Sequence, residues 1–342
     1  RRYWPLLLAL PLVAALAWAL RAPARLVEIA TVRAAPFVDG FEEEGRTHLR
    51  HRYLLAAPLI TAALAAGTLG FARSAQAATI TVNTTTDEYN TGPACSLREA
   101  IRAANDDAAF GGCPAGSGAD TITFGVNGTF LITLSPGPDE NANAAGDFDL
   151  LSSMTIQGNG AANTIVDAGS TDRVFDISPL GGVNLTVVFS GLTIRNGKAS
   201  PSNANVGGGI FINTNATVTI DSSTLANNVS QASSAGAIEN RGALTLNSAA
   251  LQNNTAFGLG GAVNNIGSLT VNNSTFSGNK AESGGALYMN TSSTRTATIT
   301  GSSFTGNQAV ATAGGVDDSG GAIAAVTDGL VTISGSTFTG NS

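Results

Sequence analysis

One stretch of sequence recurs five times between residue 207 and the end of the chain, and this repetition constrains the fold more than any other feature. A representative copy reads GGAVNNIGSLTVNNSTFSGN at 260–279. Each copy places a large apolar residue three positions before a closing asparagine. These apolar residues are Leu225, Leu251, Phe276, Phe304 and Phe338, at steps of 26, 25, 28 and 34 residues. A recurrence of this length is typical of stacked supersecondary units.

The apolar residues in each copy alternate with Thr, Ser and Asn, which is the two-residue period of a half-buried strand. The copies contain no long run of helix-forming residues. A single copy has no second sheet that buries its apolar side chains, so copies must stack along an axis and share one core. The sequence therefore predicts an all-β protein, a parallel β-helix in which the Leu and Phe residues form one inward-facing column.

The asparagine that closes each copy has two interpretations. The five closing asparagines are Asn228, Asn254, Asn279, Asn307 and Asn341. An asparagine at the end of a strand tolerates the left-handed conformation and hydrogen-bonds neighbouring backbone, which predicts a structural asparagine ladder at a turn. The alternative is a row of ligand-binding amides. An identical residue in every unit favours the structural role.

Two short signatures in the copies carry a family resemblance. GGA followed by an aliphatic residue appears as GGAV, GGAL and GGAI, and FxxN appears as FSGN and FTGN. These motifs resemble the repeats of the bacterial polymorphic outer-membrane proteins, over residues 207–342. The resemblance implies a right-handed, single-stranded parallel β-helix at a cell surface.

One clear helical stretch, ACSLREAIRAANDDAAFGGC at 94–113, precedes the repeats. Ser96 and Glu99 have the spacing of a capping box. The apolar face comprises Leu97, Ala100, Ile101 and Ala104, whereas Arg98, Arg102 and Asp106 are expected to face away from it.

The letters CSLREA at 95–100 closely resemble the CSLREA domain at the head of bacterial secreted β-helix proteins. We therefore expect an N-terminal cap at 78–118 and the β-helix at 119–342. An amphipathic helix over the open end of a solenoid covers both apolar side chains and strand edges.

Cys95 and Cys113 are the only cysteines of the chain. In an oxidising compartment a disulfide is the default, and it would pin both ends of the capping helix. The only histidines, His48 and His51, lie in or before an expected signal peptide. A Cys–His pair, a histidine-based triad and a histidine-ligated zinc site are therefore excluded after processing.

The N-terminal region contains two apolar stretches. The second, at 53–71, follows the basic letters HLRHR and ends in SAQA before Ala78, which predicts a secretory signal peptide at 49–77. A membrane anchor is the alternative. Because two signals in tandem are unusual, residues 1–48, with their own apolar stretch at 4–20, are interpreted as an upstream segment foreign to the native protein.

Charge excludes several classes of partner. Beyond residue 77 the chain keeps 8 of its 17 Lys and Arg and 19 of its 24 Asp and Glu, a net charge of −11. A surface so poor in basic residues is unsuited to nucleic acid or to anionic membranes.

Polysaccharide cleavage is the runner-up function, since parallel β-helices often host lyases and hydrolases. Such chemistry needs clustered carboxylates and a proton acceptor. The best candidate catalytic group is Asp167, Asp172, Arg173 and Asp176. Asp317 and Asp318 lie in an insertion at 308–319. Scattered outward charges on a solenoid are more often solvation.

Two further functions are weighed and not favoured. Calcium binding is suggested by acidic residues of one loop and the strand after it, Asp139, Glu140, Asp147 and Asp149, but their spacing lacks the EF-hand pattern. Ice binding is suggested by Thr-x-Ile and Thr-x-Val pairs, but the sequence displays no regular Thr-x-Thr ladder from coil to coil.

The sequence thus favours an exported protein, secreted or at the cell surface or outer membrane, with a structural or adhesin-like binding role and no catalysis or cofactor. Surface glycans or proteins of host or neighbouring cells are the expected partners. Because the chain stops at an FxxN turn, we expect an incomplete β-helix, an absent C-terminal envelope anchor, and end-to-end self-association of this chain.

Overall fold

A computed structural model describes the chain from residue 76 onward. The gaps in the description are residues 136–141, 200–205, 232–233, 291–293, 311–319 and 327. Every described residue belongs to one compact unit. The predicted upstream segment and almost all of the predicted signal peptide lie outside the described residues.

The predicted parallel β-helix is confirmed, because the described strands form four sheets in which every pairing is parallel. Sheet 1 contains β1 (Thr79–Val82), β2 (Asp120–Phe124), β5 (Met154–Gln157), β8 (Leu185–Ser190), β12 (Ala216–Asp221), β16 (Ala243–Asn247), β20 (Ser268–Asn272), β24 (Thr296–Thr300) and β28 (Leu330–Ser334). Sheet 2 contains β3 (Gly128–Leu131), β6 (Thr164–Asp167), β9 (Thr193–Arg195), β13 (Thr224–Ala226), β17 (Ala250–Gln252), β21 (Thr275–Ser277), β25 (Ser303–Thr305) and β29 (Thr337–Thr339).

The other two sheets complete each coil. Sheet 3 contains β4 (Phe148–Leu150), β7 (Phe175–Ile177), β11 (Ile210–Ile212), β15 (Ile238–Asn240), β19 (Val263–Asn265), β23 (Leu287–Met289) and β27 (Ile323–Ala325). Sheet 4 contains β10 (Lys198–Ala199), β14 (Val229–Ser230), β18 (Thr255–Ala256), β22 (Lys280–Ala281) and β26 (Gln308–Ala309). A full coil passes through sheets 3, 1, 2 and 4 in turn, and a short 3₁₀ helix, Leu180–Gly182, interrupts one connection.

The core is built from columns of side chains that point inward from the sheets. The column of sheet 2 comprises Phe130, Val166, Ile194, Leu225, Leu251, Phe276 and Phe304, all buried. The rings of Phe276 and Phe304 stack with centroids 4.6 Å apart. Phe338 continues the column at 4.8 Å from Phe304, and it is 47% exposed, since its strand β29 lies at the edge of sheet 2.

The glycine pair of the GGA motif has a steric explanation. A Cβ atom added to Gly236, Gly261 or Gly285 would lie 2.1 Å from the carbonyl oxygen of the corresponding glycine in the next coil. No side chain fits at that distance, so only glycine lets neighbouring coils approach. The first position of the motif has a positive φ in four of the five copies, +65° at Gly260 for example, and Ala235 adopts +60° at the equivalent place.

The N-terminal helix α1 (Leu97–Asp106) begins with the predicted capping box. Ser96 N–H donates to Glu99 Oε2 at 3.1 Å, and Glu99 N–H donates to Ser96 Oγ at 3.2 Å. The predicted disulfide between Cys95 and Cys113 is present. Strand β1 lies inside the segment assigned to the cap, yet it pairs with β2, so sheet 1 begins before the helix.

The prediction that Arg98 faces away from the packed side of α1 is wrong. Arg98 is fully buried, because the loop that contains Asp87 and the segment around Gly146 cover that side of the helix. Its guanidinium bonds Asp87 at 2.7 Å and the carbonyl oxygen of Gly146 at 2.7 Å. A buried charge is tolerated when it is paired in this way. In the described part of the chain, no helix is long and apolar enough to cross a membrane.

Candidate functional site

Three carboxylates surround one buried guanidinium at the N-terminal end of sheet 3. Arg173 is 3% exposed. Its Nε atom lies 2.8 Å from Asp147 Oδ2, and one terminal nitrogen lies 2.6 Å from Asp176 Oδ2. The backbone N–H of Arg173 donates to Asp172 Oδ1 at 2.9 Å. The guanidinium also lies over the ring of Phe211, 5.4 Å from its centroid.

The electrostatics of this Arg173 cluster follow from its charge balance. Burial raises the pKa of Asp147 to about 7; Arg173 opposes this rise, whereas the negative charges of Asp172 and Asp176 add to it. Burial alone would lower the pKa of Arg173, but the attraction of Asp147 and Asp176 raises it above its ordinary value. Arg173 therefore stays protonated, and its single positive charge cannot balance the three carboxylates when all of them are ionised.

Asp167, the fourth residue of the predicted catalytic group, belongs to a separate cluster at the end of β6 in sheet 2. Arg195 Nε lies 2.7 Å from its Oδ2 atom, and Asn196 donates to both of its oxygens at 2.9 and 3.0 Å. Burial would raise the pKa of Asp167, but hydrogen bonds from the Gly169 N–H, Asn196 and Arg195 lower it. The structure therefore brings Asp172, Arg173 and Asp176 together and leaves Asp167 out.

The acidic residues considered for calcium do not converge where they are described. Asp139 and Glu140 lie outside the described residues, as do Asp317 and Asp318. Asp147 binds Arg173, and Asp149 exchanges hydrogen bonds with Asn143: Asn143 N–H donates to Asp149 Oδ2 at 2.9 Å, and Asp149 N–H donates to Asn143 Oδ1 at 3.1 Å. Among the described residues, no group of three or more His, Cys, Asp or Glu is arranged to hold a metal ion.

The closing asparagines lie in one row along the stack, and their amides are occupied by protein groups. Asn254 Oδ1 accepts from the backbone N–H and the side-chain amide of Asn228, both at 3.0 Å. Its own amide donates to Asn279 Oδ1 and to the carbonyl oxygen of Leu225, again at 3.0 Å. The row is buried as far as Asn307. These contacts leave the buried amides turned toward the neighbouring coils and not toward a ligand.

The left-handed conformation expected for the ladder asparagines belongs to the residue before each of them. Asn227 and Asn253 have φ of +56° and +54°, and glycine takes over that position at Gly278, Gly306 and Gly340. The prediction of the conformation was one residue late. The physical reason is that the ladder side chain must point inward from an extended backbone, so the preceding residue makes the turn.

A second ladder, which the sequence analysis missed, stands at the turn between sheets 1 and 2. Ser274 Oγ accepts the backbone N–H of Ala249 at 3.1 Å, and Ser302 Oγ accepts that of Ser274 at 3.1 Å. Each hydroxyl also donates to the carbonyl two residues earlier. The signal in the sequence was the serine two positions before each core Phe.

An open apolar groove lies on the outer face of sheet 4. Its volume is about 260 Å³, and Phe257 stands in it with 69% of its surface exposed. The other lining residues are Val229, Ser230, Gln231, Thr255, Ala256, Lys280, Ala281, Glu282 and Val310. An exposed aromatic ring flanked by polar side chains on strands is a typical contact surface for a ligand.

Comparison of the chain with family models, with curated proteins and with solved structures finds no match. The candidate sites therefore depend on their own geometry. Asp147 was not recognisable from the sequence as the partner of Arg173, because 26 residues separate them. The sequence analysis missed Phe257 as well, although an aromatic residue three positions after Asn254 falls on an outward position of the strand pattern.

Proposed function

We propose that the protein is an exported β-helix of the cell surface or the secreted fraction, with a structural and adhesive binding role and no catalysis. The observation that carries this proposal is the contrast between its two kinds of candidate site. The charged groups suited to chemistry are buried and bonded to one another around Arg173. The groove around Phe257, by contrast, is exposed and open to a partner.

The proposed partner is a surface glycan, and a protein of a neighbouring or host cell is the other expected class. A pyranose ring presents an apolar face that packs on an aromatic ring, and its hydroxyls need donors and acceptors at the edge. Phe257 supplies the ring, and Gln231, Thr255 and Lys280 line the same groove. The disulfide between Cys95 and Cys113 is compatible with an oxidising, extracytoplasmic location.

A glycan array probed with the purified chain and with two variants tests this proposal. Phe257→Ala is expected to abolish binding, because it removes the stacking surface. Leu180→Ala is the matched control: Leu180 is 58% exposed and lies outside the groove. Its binding is expected to equal that of the unmodified protein.

Two results would contradict the proposal. One is retention of binding in Phe257→Ala at the level of the control. The other is release of unsaturated or reducing ends from pectin, alginate or related polymers, which would favour the lyase or hydrolase alternative. An Arg173→Met variant without that activity would then place the chemistry at the Arg173 cluster.

A further inference from the structure

Nine outward positions of sheet 1 lie in register on its nine strands, and eight of them are threonine. The members of this threonine row are Thr79, Thr121, Thr155, Val188, Thr219, Thr245, Thr270, Thr298 and Thr332. Val188 interrupts the hydroxyls but keeps a β-branched shape and a γ-methyl group. The interpretation that the sequence has no regular Thr-x-Thr ladder holds, since the next outward row contains Gln157, Asp221 and Asn247. The single threonine row was not recognised from the sequence, because coils of unequal length align its residues.

The side chains of the threonine row reach the surface: Thr79 and Thr332 are exposed, and the other seven are half-buried. None of the nine side chains is buried, and within the described residues no hydrogen bond joins any of the eight hydroxyls to another protein group. The next outward row of the same sheet behaves differently. There Thr81 bonds Thr123 at 3.1 Å, and Asn272 donates to Asn247 at 3.0 Å. The threonine row thus presents unused donors and acceptors at a constant spacing.

The threonine row is also free of charge. The neighbouring row of sheet 1 contains one ionisable side chain, Asp221. By contrast, the outward positions of sheet 3 include the half-buried Asp176. Outward positions of sheet 4 include Lys198 and Lys280. A ligand that matches the threonine row is therefore neutral and contains its own hydrogen-bonding groups.

The abundance of threonine on strands does not by itself explain this row. Threonine is common on exposed strand positions because it is β-branched and polar, and the outer row of sheet 2 illustrates the background. Five of its eight positions are threonine, and the other three are Ile165, Ala250 and Ser303. Its Thr193 hydroxyl donates to the carbonyl of Ala161 at 2.7 Å. In sheet 1, threonine occupies eight of the nine positions of the row, and none of those hydroxyls is bonded to another protein group within the described residues.

We propose that the threonine row binds the surface of ice. Strands of a sheet repeat at about 4.8 Å, which is close to a repeat of the oxygen atoms in hexagonal ice. Each hydroxyl both donates to and accepts from lattice water. The γ-methyl groups occupy the hollows between water molecules and hold the water at their edges in order. This activity goes beyond the proposed adhesive role and does not depend on it.

Ice growth measured with the full chain tests this inference. The unmodified protein is expected to inhibit ice recrystallisation and to shape ice crystals in a thermal-hysteresis measurement. Thr245→Arg places a long, charged side chain in the middle of the row and is expected to abolish both effects. Thr275→Arg makes the same substitution on the outer face of sheet 2 and is expected to leave both effects intact.

A second variant keeps the test decisive if Thr245→Arg does not fold. Thr270→Gln inserts a neutral side chain that protrudes from the row, and it is expected to weaken the inhibition while the circular dichroism spectrum stays unchanged. Phe257→Ala is expected to retain full activity on ice, so that this inference and the proposed function fail separately.

Three outcomes would overturn the ice assignment. The first is an unmodified protein without any effect on ice growth. The second is an equal loss of activity in Thr245→Arg and Thr275→Arg. The third is binding to crystalline cellulose or chitin that Thr245→Arg abolishes, in the absence of any effect on ice, since this result would assign the row to a different lattice.

Discussion

At the scale of single residues, neighbouring coils are joined at the turns by side chains that hydrogen-bond backbone groups which have no strand partner there. Asn254 illustrates this, because its amide takes part in four hydrogen bonds that join three consecutive coils. All of them are buried, where an unsatisfied donor or acceptor costs about 1–3 kcal/mol. The residue before it, Asn253, contributes a backbone conformation, with φ of +54°.

This division of roles predicts that substitutions at two adjacent residues change the free energy of unfolding by very different amounts. Asn254→Ala is expected to lower the free energy of unfolding by about 3 kcal/mol or more, because it leaves the N–H of Asn228 and the carbonyl of Leu225 without partners. Asn253→Gly is expected to be nearly neutral, since later coils have glycine at that position. Chemical denaturation measures both, and equal stability of the two variants would contradict the ladder.

At the scale of elements, the first coils of sheet 3 are joined by charge instead of by asparagine. Arg173, just before β7, reaches back to Asp147, just before β4, and forward to Asp176 within β7. The stability of these coils therefore depends on pH. Folding raises the pKa of Asp147 from an unfolded value of 3.8 to about 7, so the folded protein retains a proton that the unfolded chain releases.

The contribution of Asp147 to stability is expected to be complete below about pH 4 and to disappear as the pH rises through about 7. The change is of the order of 4 kcal/mol at most, since one pKa unit is worth about 1.4 kcal/mol. Asp147→Asn, which does not titrate, is expected to lose this dependence. Thermal unfolding between pH 4 and 8 measures the difference, and identical pH profiles for both proteins would refute it.

At the scale of the whole β-helix, each coil contacts its neighbours, so stability is close to a sum of local terms. The helix α1 packs against β1, β2 and β4, and the disulfide between Cys95 and Cys113 fixes the segment that contains it. A bridge over 18 residues of sequence contributes about 3 kcal/mol in the chain-entropy model. That contribution belongs to the N-terminal coils.

Replacement of both cysteines by alanine is therefore expected to destabilise the N-terminal coils by about 3 kcal/mol and to leave the distant coils unchanged. Amide hydrogen exchange measures this residue by residue. Faster exchange is expected in β1 and β2, with unaltered exchange in β17 and β21. An equal acceleration throughout would mean that the coils unfold as one cooperative unit.

Much of this architecture could be predicted from sequence because its determinants are local or periodic. The capping box of Ser96 and Glu99 spans four residues, and the Leu and Phe column recurs at every coil. The alternation of apolar and polar residues assigned the strands, and the glycine pairs marked the close approach of coils. Such features involve residues that are close in the sequence or that recur in every copy, so they can be recognised without knowledge of the tertiary structure.

Other features were decided by the tertiary structure alone, because they join residues from coils of unequal length. Thr79 pairs with Thr121 across 42 residues, whereas Thr245 pairs with Thr270 across 25, so no fixed period reveals the threonine row. The burial of Arg98 depends on loops that fold over α1, and the pairing of Arg173 with Asp147 depends on a turn of the solenoid. The sequence determined which residues point inward; the loop lengths decided which residues become neighbours, because they set how the strands align.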